Sequence, residues 1–187
     1  MNSLKDILVE NPIVCAIRSD EDLDNAIKSA NTIVFVLYGN LISIMNIVKK
    51  LKKAEKLVFV HMDLIDGLKS DESAIQYLKE NAKTDGIITT KQSVIKLAKV
   101  ANLLTIIRFF VIDSKSLATG IKSSNDLKPD AIEILPGISE KIITAAYKNT
   151  KLPIIAGGLI ETKDEVVLAL KNGAVAISTS SSKVWEE

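Results

Sequence analysis

The sequence is poor in the residues that usually advertise a function. It has one cysteine, one histidine, four prolines and few aromatics among its 187 residues. The lone Cys15 cannot close an internal disulfide, which fits a reducing compartment. With no second cysteine, thiolate metal centres are excluded, and His61 with Asp63 alone makes a poor metal site. Neither a metal nor an organic cofactor is expected. A net charge of +1 offers no bulk attraction to nucleic acid or to a membrane surface. Aromatics at 4% leave no stacking platform for single-stranded bases. No apolar run reaches the length of a membrane span. Met1 to Asn11 is broken by Lys5, Asp6 and Glu10 and has no signal-peptide core. A soluble, cytoplasmic protein without a membrane partner is therefore expected. No Gly/Ser/Pro-rich linker divides the chain, so residues 1–187 read as one domain.

What is present is an alternation. Leu4, Ile7 and Leu8 fall at helical spacing and predict a short leading helix. Strand-like runs follow at Ile13–Ile17, Thr32–Tyr38, Leu57–Asp63, Gly86–Thr89, Thr105–Ile112 and Ala131–Leu135. Two more lie in Pro153 to Gly158 and Ala174 to Ser181. Between them come helical patterns: one after Ser19 or Asp20, then 42–54, 70–82, 92–102, 115–125, 139–149 and 161–172. A closing turn is expected over 183–187. Continuous apolar strands suit a parallel sheet buried on both faces. Eight such units predict an α/β fold, a small single-domain TIM-like (β/α)8 barrel with short helices. The rival is a doubly wound open sheet, but no switch point or GxGxxG marks one.

In a barrel, function gathers where strands end. There the chain places Arg18, His61, Asp63, Lys91, Asp113, Glu133, Gly157-Gly158 and Ser178-Thr179-Ser180. Gly157-Gly158 and Ser178 to Ser181 end the last two strands, where barrels commonly hold a phosphate on backbone N–H groups. A small phosphorylated ligand is expected there; a plain tight turn is the structural alternative. His61 and Asp63, two apart in a strand, would share one face. Asp113 can equally cap the next helix, and Lys91 can be a solvated helix-start residue. Glu133 inside a strand needs a partner, for which Arg108 is a candidate. The run Lys49-Lys50-Leu51-Lys52-Lys53 is the densest basic cluster and the candidate surface for a phosphate backbone; a solvated helix face is the alternative.

Several stretches together resemble one family. They are His61 to Leu68, Asp85 to Lys91, Val111 to Ser114, Pro129 to Gly137, Pro153 to Ile160, and Ala176 to Ser180 with Trp185. In register from about Pro12 to Trp185, they are similar to the glycerol uptake operon antiterminator regulatory proteins. The resemblance implies a barrel that senses glycerol 3-phosphate as an effector and has no catalytic residues. It implies that the liganded protein binds leader mRNA and lets transcription pass a terminator. It sets no oligomeric state. The residues alone leave a second function open: an isomerase or lyase acting on a small phosphorylated substrate, with Asp63, Lys91 or Glu133 as acid or base.

Overall fold

Eight strands pair in sequence order and close on themselves. They are β1 (Ile13–Ile17), β2 (Ile33–Val36), β3 (Leu57–His61), β4 (Gly86–Thr89), β5 (Leu104–Phe110), β6 (Ala131–Leu135), β7 (Ile154–Gly157) and β8 (Ala176–Thr179). All are parallel, and β8 returns to β1 through Ile13↔Ile177, Val14↔Ser178 and Cys15↔Thr179. This computed structural model describes residues 3–186. The closed order excludes the open sheet and is the expected TIM-like barrel.

Strand alternation divides the core in two. Inward residues, among them Val14, Ile33, Phe35, Phe59, Ile88, Ile106 and Ile155, fill the barrel. Phe35 and Phe59 meet edge to face at 5.6 Å and 71°. Outward residues such as Val34, Val58, Val60, Ile107 and Ile134 pack beneath the helices. Gly86 makes room for Phe59, because a Cβ there would stand 2.5 Å from its ring and 2.7 Å from Leu104 O. The leading helix α1 (Leu4–Glu10) plugs the N-terminal end of the barrel with Leu4 and Leu8, which belong to the interior cluster.

The remaining helices are α2 (Asp20–Lys28), α3 (Ile44–Lys53), α4 (Glu72–Gln76), α5 (Gln92–Val100), α6 (Ser114–Leu127), α7 (Glu140–Asn149), α8 (Lys163–Lys171) and α9 (Ser182–Trp185). The α4 helix runs on as a π-helical stretch, Tyr77–Ala82. Ser19, Asp71, Asp113, Ser139 and Thr162 each cap a helix N-terminus through the side chain, a contribution of about 1 kcal/mol apiece.

Helix ends sort the charges. Acids occupy first turns: Asp20 to Asp22, Glu72, Glu140, Asp164 and Glu165. Lysines occupy last turns or caps: Lys28, Lys50, Lys52, Lys53, Lys83, Lys99, Lys128, Lys148 and Lys171. Both choices suit the helix dipole. The first turns of α3, α5 and α6 carry no acid.

Expected boundaries move where a strand becomes a turn. The third strand stops at His61, and Met62–Leu64 forms a 3-10 turn. The fifth ends at Phe110 rather than Ile112. The closing turn is Ser182–Trp185, and Glu187 lies outside the described residues.

Candidate functional site

A cavity of about 710 Å³ opens at the C-terminal ends of β1, β2 and β5 to β8. Its floor is polar. Arg108 and Glu133 are register partners on β5 and β6, so their side chains enter the barrel together. Arg108 Nε donates to Glu133 Oε2 at 2.5 Å, and Ser178 Oγ donates to Oε1 at 2.5 Å. Glu133 is completely buried. A buried carboxylate requires such partners. Gly157 lies against this pair, since a Cβ there would stand 2.8 Å from both Glu133 Oε1 and Ser178 Oγ.

The wall is backbone. Gly158 has φ +79° and Leu159 φ +62°, so the chain turns sharply after β7. Among the described residues, the N–H groups of Leu159, Ile160 and Ser180 donate no hydrogen bond. Thr179 Oγ1 ties the two loops together: it donates to Ile160 O at 2.6 Å and accepts from Ser181 N–H at 3.0 Å. Trp185 Nε1 donates to Thr179 O at 2.9 Å and braces the same loop from behind. From the end of β1, exposed Arg18 lines the opening, with no carboxylate in ion-pair range among the described residues. Its own N–H is capped by Asp22 at 2.7 Å. Phe110, Ile112, Leu135, Pro136 and Leu159 supply apolar walls, and Glu161 adds one exposed carboxylate at the rim.

Of the expected site residues, Arg18, Glu133, Gly158, Ser178, Thr179 and Ser180 line this cavity, with Gly157 packed against its floor. His61, Asp63, Lys91 and Asp113 are not among its lining residues. The shared face expected for His61 and Asp63 fails because Asp63 sits in the 3-10 turn, where strand alternation ends. The Asp63 carboxylate turns to Thr90 N–H at 2.7 Å, Thr90 Oγ1 at 2.9 Å and Thr89 Oγ1 at 2.9 Å. Burial pushes that carboxyl up, but these hydrogen bonds outweigh it and hold its pKa below the usual range. Lys91 Nζ donates to Ser70 Oγ at 2.7 Å and stands 3.8 Å from Asp63. Asp113 caps α6 through Ser116 N–H at 2.7 Å. His61 is buried beside the floor. Desolvation first, and the Arg108 guanidinium second, push its pKa down to about 4. Its Nδ1 is buried without a hydrogen-bond partner among the described residues.

The lysine run is not one free patch. Lys52 Nζ is paired with Asp85 at 2.6 Å, and the neighbouring Lys56 is buried on the carbonyls of Ser29 and Asn31 at 2.7 Å each. Lys49, Lys50 and Lys53 remain exposed, at the end of α3 opposite the cavity mouth. Sequence reasoning missed the unbonded N–H groups of Leu159 and Ile160, which leave no trace in side-chain identity.

The fold and this cavity define a class: a (β/α)8 barrel whose last two strand-end loops carry, among the described residues, N–H groups without partners, beside an arginine without a partner carboxylate at the strand C-termini. Within that class the chain belongs to the glycerol-3-phosphate responsive antiterminator family, whose sequence model matches residues 13–185. An uncharacterized Escherichia coli protein, YgcP, is 40% identical over 179 residues, covering 96% of this chain and 94% of that one. The crystal structure of a glycerol uptake operon antiterminator regulatory protein from Listeria monocytogenes is 34% identical. It superposes with a TM-score of 0.88 over 93% of this chain and 94% of that one. An antiterminator-related protein from Thermotoga maritima, also 34% identical, gives 0.84 over 95% and 99%.

Proposed function

We propose that this chain is a cytoplasmic, glycerol 3-phosphate-controlled regulator that binds leader mRNA and promotes antitermination of a glycerol uptake operon, without turning its ligand over. The observation that carries the ligand is the pairing of free Leu159, Ile160 and Ser180 N–H groups with the unpaired Arg18 around one cavity. Charge-assisted hydrogen bonds of this kind favour a phosphate. Ser178 and Arg108, held by Glu133 at the cavity floor, then face the ligand's hydroxyls. Family membership supports the regulatory role and the RNA partner. The disposition of the ionisable groups supports the absence of turnover. Asp63 and Lys91 are engaged away from the cavity, and Glu133 is held between Arg108 and Ser178.

Calorimetry with glycerol 3-phosphate, glycerol and inorganic phosphate tests the ligand reading. Glycerol 3-phosphate should bind best, and Arg18→Gln should weaken it by roughly ten- to a hundredfold, the worth of one hydrogen bond to a charged group. Because the Arg18 side chain is exposed and unpaired, folding should be untouched. Equal affinity for plain glycerol would overturn the reading.

A further inference from the structure

On the face opposite the cavity, α6 and α7 end side by side and enclose a groove of about 560 Å³. Lys128, Lys148 and Lys151 line it, all exposed, and no acidic residue is among its lining. Among the described residues none of the three has a carboxylate within ion-pair distance. On α3, Asp85 neutralises Lys52 and so interrupts the run, leaving Lys49, Lys50 and Lys53.

The groove is also braced. Asn125 Nδ2 donates to Asn149 O at 3.1 Å, and Thr150 Oγ1 donates to Asn125 Oδ1 at 2.6 Å, joining the two helix ends. Lys99 Nζ pins the α6 terminus through the carbonyls of Leu127 and Lys128. Three unpaired cations on a fixed frame suit a phosphate backbone, whose affinity for protein comes from neutralised phosphates. The mouth suits it less, because the first turns of α2, α4, α7 and α8 carry acids at that end.

The segments that lead into the same two helices line the ligand cavity. Val111 and Ile112 lead into α6, and Leu135-Pro136 leads towards α7; all four line the cavity. Gly137 N–H donates to Gly157 O at 2.6 Å, fastening the start of the α7 loop to the loop that would hold the phosphate.

We propose that leader RNA docks in the Lys128–Lys148–Lys151 groove, and that α6 and α7 link it to the ligand cavity. This rests on the reading that the chain binds RNA. A groove at one end of two helices whose leading loops wall the effector cavity gives effector and RNA a shared pair of elements without sharing a site. Ligand control then requires that RNA prefer the liganded position of these helices.

The test compares two triple variants by leader-RNA binding at several salt concentrations, with glycerol 3-phosphate present. One is Lys128→Gln, Lys148→Gln, Lys151→Gln. The other is Lys49→Gln, Lys50→Gln, Lys53→Gln. The groove variant should lose about tenfold or more in affinity, and its log–log salt slope should fall by about 2, at about 0.7 per lost contact to a single strand. Its glycerol 3-phosphate affinity without RNA should equal the parent's, which also shows that it folds. The α3 variant should bind RNA like the parent. If the parent binds its leader and the groove variant binds equally well with the same slope, the groove is wrong while the regulatory reading survives. If the parent binds no leader RNA at any ligand concentration, both fail.

Discussion

Arg108 and Glu133 stand side by side across β5 and β6, with Arg108 Nε donating to Glu133 Oε2 inside the barrel. Arg108 is 7% exposed and Glu133 not at all. An ion pair this deep contributes little net stability, because desolvating the charges offsets their attraction. Its cost is understandable if the pair forms the floor of a ligand site.

Stability and binding should therefore separate. Glu133→Ala strands a buried guanidinium and should cost about 3–5 kcal/mol in urea unfolding. Arg108→Met combined with Glu133→Leu removes both charges and should return stability to within about 2 kcal/mol of the parent, or above it. The double variant, though stable, should lose the parent's glycerol 3-phosphate binding by calorimetry. Retained binding would remove the pair from the site.

The two glycines should respond differently. Gly157→Ala places a methyl 2.8 Å from Glu133 Oε1 and Ser178 Oγ, so it should disrupt the floor and abolish ligand binding. Gly158→Ala meets only Leu135 Cδ2, at 3.2 Å, but imposes a side chain at φ +79°. Its first effect should be about 1 kcal/mol of backbone strain, with binding weakened less than in Gly157→Ala. Comparing melting temperature with ligand affinity for both variants checks the distinction.

His61 makes stability depend on pH. Its folded pKa of about 4 lies below the ordinary value of 6.5, so the unfolded chain takes up the proton first as pH falls. Stability is full above pH 6.5 and declines between pH 6.5 and 4. From pH 7 to pH 5 the loss should be about 2 kcal/mol. His61→Asn should flatten that segment of the profile in urea unfolding at several pH values. An unchanged slope would assign the pH dependence to other groups.

Much of the barrel can be read from residues whose surroundings are local. The strands Ile13–Ile17, Gly86–Thr89 and Ala131–Leu135 match expectation residue for residue, because apolar runs are bounded there by turn or cap residues. Misread features depend on partners distant in sequence. Asp63 leaves the strand pattern for Thr89 and Thr90, 26 and 27 residues on. Lys52 meets Asp85 33 residues away, which breaks up a cluster that looks continuous in sequence. The Arg108–Glu133 pair was open to inference, since two charged residues inside neighbouring apolar strands have few alternatives to each other. The proposed phosphate cup was legible only through Gly157-Gly158 and the serines. Its free donors at Leu159 and Ile160 are backbone groups, carried by residues whose side chains say nothing of them.

The central claim is that the cavity's ligand controls RNA binding. The direct measurement is the affinity for the protein's own upstream leader transcript, with and without saturating glycerol 3-phosphate, at matched salt. Coupling typically amounts to about 1–3 kcal/mol, so affinity should rise by about 5- to 150-fold. By linkage, saturating RNA should tighten glycerol 3-phosphate by the same factor. Identical leader affinity with and without the ligand, across several salt concentrations, would contradict the account.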